Sequence, residues 1–245
     1  MKLDILAFGS HPDDIELSCC GTIMVEIAHG KKVGIVDLTE GELGSRGDVP
    51  TRYKEAADAA IILGVSVREN LKLPDGFFEN NRDSQLKVIE AIRKYQPDIV
   101  LCNAPADRHP DHGRGARLVE VAAFLSGLAK IITHSGGEQQ QHWRPAYVFK
   151  YIQDRYIEPS FVVDITSVHD RKVQAIQAYS SQFHSPKSVA GDGPETYISS
   201  PEFLDSVIYR AKMMGKMIGV PYAEGFISSK MIGVQTLDAF IQKVT

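Results

Sequence analysis

Two copies of His-Pro-Asp stand far apart in this chain. The first runs His11-Pro12-Asp13-Asp14-Ile15-Glu16 and the second His109-Pro110-Asp111-His112. Each follows a short apolar run with the character of a buried strand. Imidazole and carboxylate groups at such spacing are what a divalent cation needs. His11 at a strand end and Asp14 in the opening turn of the next helix can point at one ion, and His112 can supply a third donor from the second copy. Two nitrogens and one carboxylate suit zinc, and a three-donor set leaves a position open for water, the mark of a catalytic site. A metal so placed lowers the pKa of its water toward ~7 and polarises a carbonyl. Asp13, next to a ligand but directed elsewhere, is then the candidate general base. His109 can stabilise an oxyanion or protonate a leaving amine, with Asp111 as its carboxylate partner.

Plainer readings exist for single members. Asp13, Asp14 or Asp111 alone could cap a helix, and lone loop histidines (His29, His134, His142 and His169) read as solvated. Two histidines and a carboxylate also bind Fe(II) in oxygenases, but Asp13 and His109 would be surplus there and are useful for hydrolysis. A sugar-binding or sensor protein without turnover has no use for them either. Gly-x-Gly-x-x-Gly is absent after the first strand and Gly-x-Ser-x-Gly is absent altogether, against a dinucleotide cofactor or a serine hydrolase. Arg52 and Arg108 can fork onto substrate hydroxyls or carboxylates, and Glu55 reads as a salt-bridge partner for Arg52 along one helix. Cys19, Cys20 and Cys102 form no Cys-x-x-Cys pair and read as small buried thiols.

The positioning elements alternate. Leu3–Gly9, Lys32–Thr39, Val67–Leu73, Ile99–Cys102, Tyr147–Ile152 and Phe161–Ile165 read as strands. Helical stretches are expected at Ile15–His29, Thr51–Leu63, Asp83–Tyr95, Gly113–Lys130 and Val168–Phe183, with a last one from Ser200 to about Gly219. The Gly-rich stretch Glu40–Pro50 and the segment His184–Ser199 read as loops, the latter as a lid candidate. This order predicts an α/β fold: a Rossmann-like, doubly wound, mainly parallel sheet with a C-terminal strand and helix extension, in a single domain over 1–245. Ligands of such sheets sit beyond the carboxyl ends of the strands, where both motif copies and the Gly-rich loop converge.

Composition narrows the partners. The 245 residues are 43% hydrophobic and 24% charged, with net charge −4 and a pI near 6.1. That balance argues against broad nucleic-acid or anionic-membrane surfaces. No apolar run approaches the ~20 residues of a membrane span. The start, Met1-Lys2-Leu3-Asp4, enters a strand without a signal-peptide core, so a cytoplasmic protein is expected.

These motifs, with Asp37-Leu-Thr-Glu-Gly-Glu-Leu-Gly-Ser-Arg-Gly47, Thr51-Arg52 with Glu55, Asp107-Arg-His-Pro-Asp-His112, Tyr179–Phe183 and Tyr222-Ala-Glu-Gly-Phe226, resemble the LmbE-like (PIG-L) zinc deacetylases. The block from Asp37 is most similar to those of bacillithiol biosynthesis, which deacetylate N-acetylglucosaminyl malate. The resemblance implies zinc on His11, Asp14 and His112, Asp13 as general base, His109 paired with Asp111, and Arg52 and Arg108 on the sugar and malate portions. Some relatives place a tyrosine two residues before the second motif; here that position is Asp107, and Tyr197 is the candidate substitute. It also implies self-association, a hexamer being the form known among relatives. Chitooligosaccharides, inositol conjugates and mercapturic-type amides present the same acetyl group.

Overall fold

β1 (Ile5–Gly9) and β2 (Val33–Thr39) are buried along their whole lengths, as befits strands covered on both faces. In β1 the side chains alternate. Leu6 and Phe8 join a core with Val88, Ile92, Leu118 and Val119, while Ile5 and Ala7 join another with Ile23, Ala175 and Ala211. β3 (Val67–Leu73) is an edge strand and only half-buried, which accommodates Arg68, Glu69 and Lys72. The computed structural model describes residues 1–183 and 194–241.

β4 (Ile99–Cys102), the ribbon strands β5 (His134–Ser135) and β6 (Glu138–Gln139), then β7 (Tyr147–Tyr151), β8 (Phe161–Asp164) and β9 (Ala223–Ser228) complete the strands. The main sheet has seven strands in the order β3-β2-β1-β4-β7-β9-β8. β3, β2, β1, β4 and β7 pair in parallel, and β9 runs antiparallel between β7 and β8. The expected mainly parallel, doubly wound sheet is therefore present, with its C-terminal extension. Strand order reverses between β1 and β4, so the two motif copies leave adjacent strands at the switch point, where a crevice opens.

The helices are α1 (Asp14–Ser18), α2 (Cys20–Ala28), α3 (Val49–Leu63), α4 (Arg82–Tyr95), α5 (Pro110–Leu125), α6 (His169–Gln177) and α7 (Pro201–Ile218). The continuous helix expected over 15–29 is broken at Cys19 (φ −138°, ψ 9°). Its cause lies far along the chain. Lys172 Nζ donates to Glu16 O and Leu17 O at the end of α1. Glu224 accepts from Gly21 N, Thr22 N and Thr22 Oγ1 at the start of α2. The two side chains pair at 2.7 Å, both buried. A cation thus meets orphan carbonyls and an anion meets orphan amides, each matching its helix dipole. A Cβ on Gly21 would lie 2.9 Å from Glu224 Oε1 and from Ile165, so this approach needs glycine.

Other departures are local. α5 begins inside the second motif rather than at Gly113, and α6 ends at Gln177. The chain then turns, burying Tyr179 and Phe183 against Ala56 and Ala59 of α3. Of the lid candidate, residues 184–193 lie outside the described residues, and Tyr197–Ser199 forms one 3₁₀ turn. His169 is not solvated: it is buried with its ring stacked on Tyr222 at 3.6 Å. Free Cys19, Cys20 and Cys102 are all buried. No described helix is long and apolar enough to cross a membrane.

Candidate active site

Asp13 precedes α1 with φ +125° and ψ −24°, a conformation that costs a residue with a Cβ about 1–3 kcal/mol. Its carboxylate makes no capping bond and instead accepts from Arg52 Nη1 at 3.0 Å, both groups being buried. Asp14 follows as the first residue of α1. In the second copy His109 is the N-cap of α5, its Nδ1 accepting from Asp111 N at 3.2 Å. With Nδ1 an acceptor, the neutral ring carries its proton on Nε2. The turns at the two strand ends thus set four side chains around one crevice.

The histidines face inward in a shared arrangement. His11 Nε2 lies 3.0 Å from Asp75 Oδ1 and 3.4 Å from Asp111 Oδ2, while its Nδ1 lies 3.8 Å from Asp14 Oδ2. His112 Nδ1 lies 2.5 Å from Asp107 Oδ2, and its Nε2 lies 3.0 Å from Asp14 Oδ1. Each ring is therefore held by a carboxylate on its outer nitrogen and turns its inner nitrogen to Asp14. Outer-shell carboxylates of this kind orient metal-binding imidazoles. Asp14 is fixed in turn by His11 N, Asn103 Nδ2 and Gln153 Nε2. His11, His109 and His112 also offer ring nitrogens within 4.8 Å of one another, as do His11, Asp75 and Asp111 their donor atoms.

Charge in the cluster favours a cation. Burial works against protonated imidazole, yet bonds to Asp111 and Asp75 push the His11 pKa up to about 10. Asp14 and Asp107 likewise push His112 up to about 9 against its burial. Asp14 is held below the usual carboxylate range by the two histidines, again despite burial. A divalent cation can supply the positive charge these carboxylates draw from protons, and the nitrogen and oxygen donors of His11, Asp14 and His112 are a set zinc accepts. Burial drives Asp13 the other way, up to about 6, with Arg52 opposing. His109 is pulled below the ordinary histidine value by burial, and by His11 and His112.

His11, Asp13, Asp14, Arg52, His109 and His112 border a cavity of about 320 Å³, a volume in the usual range for small-molecule sites, with Asp111 behind His11. One wall is the loop Gly41–Arg46. Another combines Arg108, Asp154, Tyr197 and Arg210. Arg108 Nε lies 3.5 Å from Asp154, its guanidinium stands 4.6 Å from the centre of the Tyr197 ring, and Tyr197 Oη donates to Asp154 at 3.1 Å. Arg52, by contrast, is buried, and its Nε has no hydrogen-bond partner among the described residues.

Every site residue expected from sequence thus reaches this cavity or its immediate support, but two pairings differ. The Asp111 carboxylate does not hold the His109 ring. It accepts from Gly76 N and Arg114 Nη1 and faces His11, because the turn opening α5 presents only its backbone N–H to His109. Glu55 does not bridge to Arg52; it accepts from Ser180 Oγ, Ser181 N and Ser181 Oγ, since Arg52 is turned to Asp13. Sequence reasoning missed Asp75, Asn103 and Gln153, and recorded Asp107 only as an absent tyrosine. Asp75, Asn103 and Gln153 all sit within two residues of the carboxyl end of a parallel strand, a signal that was available. Glu16, whose neighbours are the candidate base and ligand, is structural: it meets Arg68 Nη1 at 2.6 Å, and Arg68 also forks onto Asp37.

Known proteins share this architecture. The family model for GlcNAc-PI de-N-acetylases, PIG-L, matches residues 6–123. A diacetylchitobiose deacetylase of Thermococcus kodakarensis is 29% identical over 90% of this chain and 81% of its own. The uncharacterized deacetylase YaiS of Escherichia coli is 32% identical over 69% of this chain and 90% of its own. Among solved structures, the conserved protein TT1542 of Thermus thermophilus superposes with a TM-score of 0.83 at 35% identity, covering 95% of this chain and 98% of that one. With the two motifs at the strand ends and these matches across most of its length, the chain belongs to the PIG-L (LmbE-like) family of deacetylases.

Proposed function

We propose that this protein hydrolyses the N-acetyl amide of a glucosamine conjugate, with N-acetylglucosaminyl malate as the preferred substrate and zinc as the resident metal. One observation carries the reading: two imidazoles tied outward to carboxylates turn inward on Asp14, in the cavity that also holds Asp13 and His109. His11, Asp14 and His112 would hold the zinc ion, which when bound supplies Lewis acidity and an acidified water. The residues of the chain do the rest. Asp13, raised by burial and steadied by Arg52, accepts the proton of the attacking water. His109 donates a hydrogen bond from Nε2 to the oxygen that gains charge, and the proton that Asp13 took from the water passes to the departing amine as the C–N bond breaks. Arg52 Nε, Arg108 and Tyr197 face the sugar and its substituent. The family match and the chitobiose deacetylase support an acetylated sugar, and the arginines favour one with carboxylates.

The test is acetate release from N-acetylglucosaminyl malate and from N,N′-diacetylchitobiose by the zinc-loaded protein. Hydrolysis of the malate conjugate with the higher kcat/KM is expected. Asp13→Ala should keep its metal and lose about 10²–10⁴-fold in kcat. No acetate from either glycoside, or wild-type turnover in the variant, would overturn the scheme.

A further inference from the structure

Arg210 is a cation of the cavity that the proposed chemistry does not use. It projects from α7, lines the cavity and, among the described residues, makes one hydrogen bond, from Nη2 to Leu17 O at 2.8 Å. A guanidinium has five N–H donors. No carboxylate lies within 4.0 Å of it among the described residues; Asp154, Asp107 and Glu224 act on it only across space, and each is already engaged, with Arg108, with His112 and with Lys172. The guanidinium is half-buried, and desolvation pulls its pKa below the ordinary arginine value although the distant carboxylates act against it. Ser18 borders the same corner, and its Oγ is buried with no hydrogen-bond partner among the described residues. A half-buried guanidinium with unused N–H donors, beside a buried hydroxyl without a partner, is a corner that an anion can complete.

We propose that Arg210, with Ser18, is the specificity-determining corner for a carboxylate on the substrate's aglycone, distinct from the Arg52 and Arg108 contacts. This deepens the deacetylase reading and rests on it for the identity of the sugar. The guanidinium accepts the carboxylate through its free N–H pair, Ser18 Oγ donates to it, and the bond to Leu17 O holds the fork in place. A neutral disaccharide leaves the corner unfilled.

Calorimetric binding of the deacetylated glycosides, which no turnover consumes, tests this on the zinc-loaded protein. The probes are glucosaminyl malate and chitobiose. Arg210→Gln should weaken the malate conjugate about 10–100-fold, the worth of a charged hydrogen-bonded contact, while chitobiose changes less than about threefold. Arg210→Lys should recover part of the loss, since it keeps the charge but not the fork. Equal loss on both glycosides would reduce Arg210 to a prop for Leu17 and overturn the assignment, as would no loss on either or no binding by the wild type. If glucosaminyl malate binds and discriminates as expected while its acetylated form releases no acetate, the hydrolysis reading fails and the Arg210 assignment stands.

Discussion

Asp107→Asn tests whether the outer carboxylates govern the inner donors. Asp107 serves two donors, His112 Nδ1 at 2.5 Å and the Arg155 backbone N–H at 2.7 Å. Asparagine has the same shape but a single acceptor oxygen, so one of the two donors must face an NH₂ group. If His112 loses its partner, the ring is free to rotate and its inner nitrogen is no longer fixed toward Asp14. Removing an outer-shell partner costs about 10–100-fold in metal affinity, which is about 1.4–2.7 kcal/mol. The unpaired donor adds about 1–3 kcal/mol of instability. At about 2–4 °C per kcal/mol for a chain of this size, melting should fall by about 2–12 °C. Zinc affinity is read by competition with a chromophoric chelator, alongside melts with and without zinc. Asp154→Asn is the control, because Asp154 touches Arg108 and Tyr197 but not His112. A zinc affinity within about twofold of wild type for Asp107→Asn, or an equal loss in the control, would refute the reasoning.

Two further sets of variants probe how Asp13 and Asp14 are seated. Both Asp13→Gly and Asp13→Ala leave Arg52 buried and unpaired, but only glycine relieves the backbone at φ +125°, so Asp13→Gly should be the more stable by about 1 kcal/mol or more in denaturant titrations; equal midpoints would remove the strain argument. Lys172→Met and Glu224→Leu should each cost about 3–5 kcal/mol by stranding a buried partner, and the two combined should cost less than the sum. Strict additivity in that double-mutant cycle would show that the pair does not act as a unit.

Much of this was legible in the residues. The strand alternation of Leu6 and Phe8 against Ile5 and Ala7, and the turns after β1 and β4, follow from local pattern, so the sheet and its crevice did too. Pairings decided by distant chain were not. Glu55 and Arg52 share a helix at a spacing that favours a salt bridge, yet each is claimed by a stronger partner from elsewhere, Ser181 and Asp13. Asp111 sits two residues from His109, but the opening turn of α5 sends its carboxylate to His11. The break at Cys19 carries no proline; it depends on Lys172 and Glu224. His169 reads as a surface residue until Tyr222 covers it.

The clasp at Cys19 bears on the order in which the molecule can be completed. Both histidine motifs, and every candidate ligand, are made within the first half of the chain during synthesis. The groups that meet the last carbonyls of the short helix carrying Asp14, however, are Lys172 and Arg210, with Glu224 pairing to Lys172, and all three are synthesised well after the second motif. Until then α1 is too short to hold itself together, and β4 presents an open edge where β7 will pair. The emerging polypeptide therefore carries its acids and bases in an unset form, and chemical competence arrives late, with the closing strand. Completion of this region therefore waits on contacts between segments far apart in the chain.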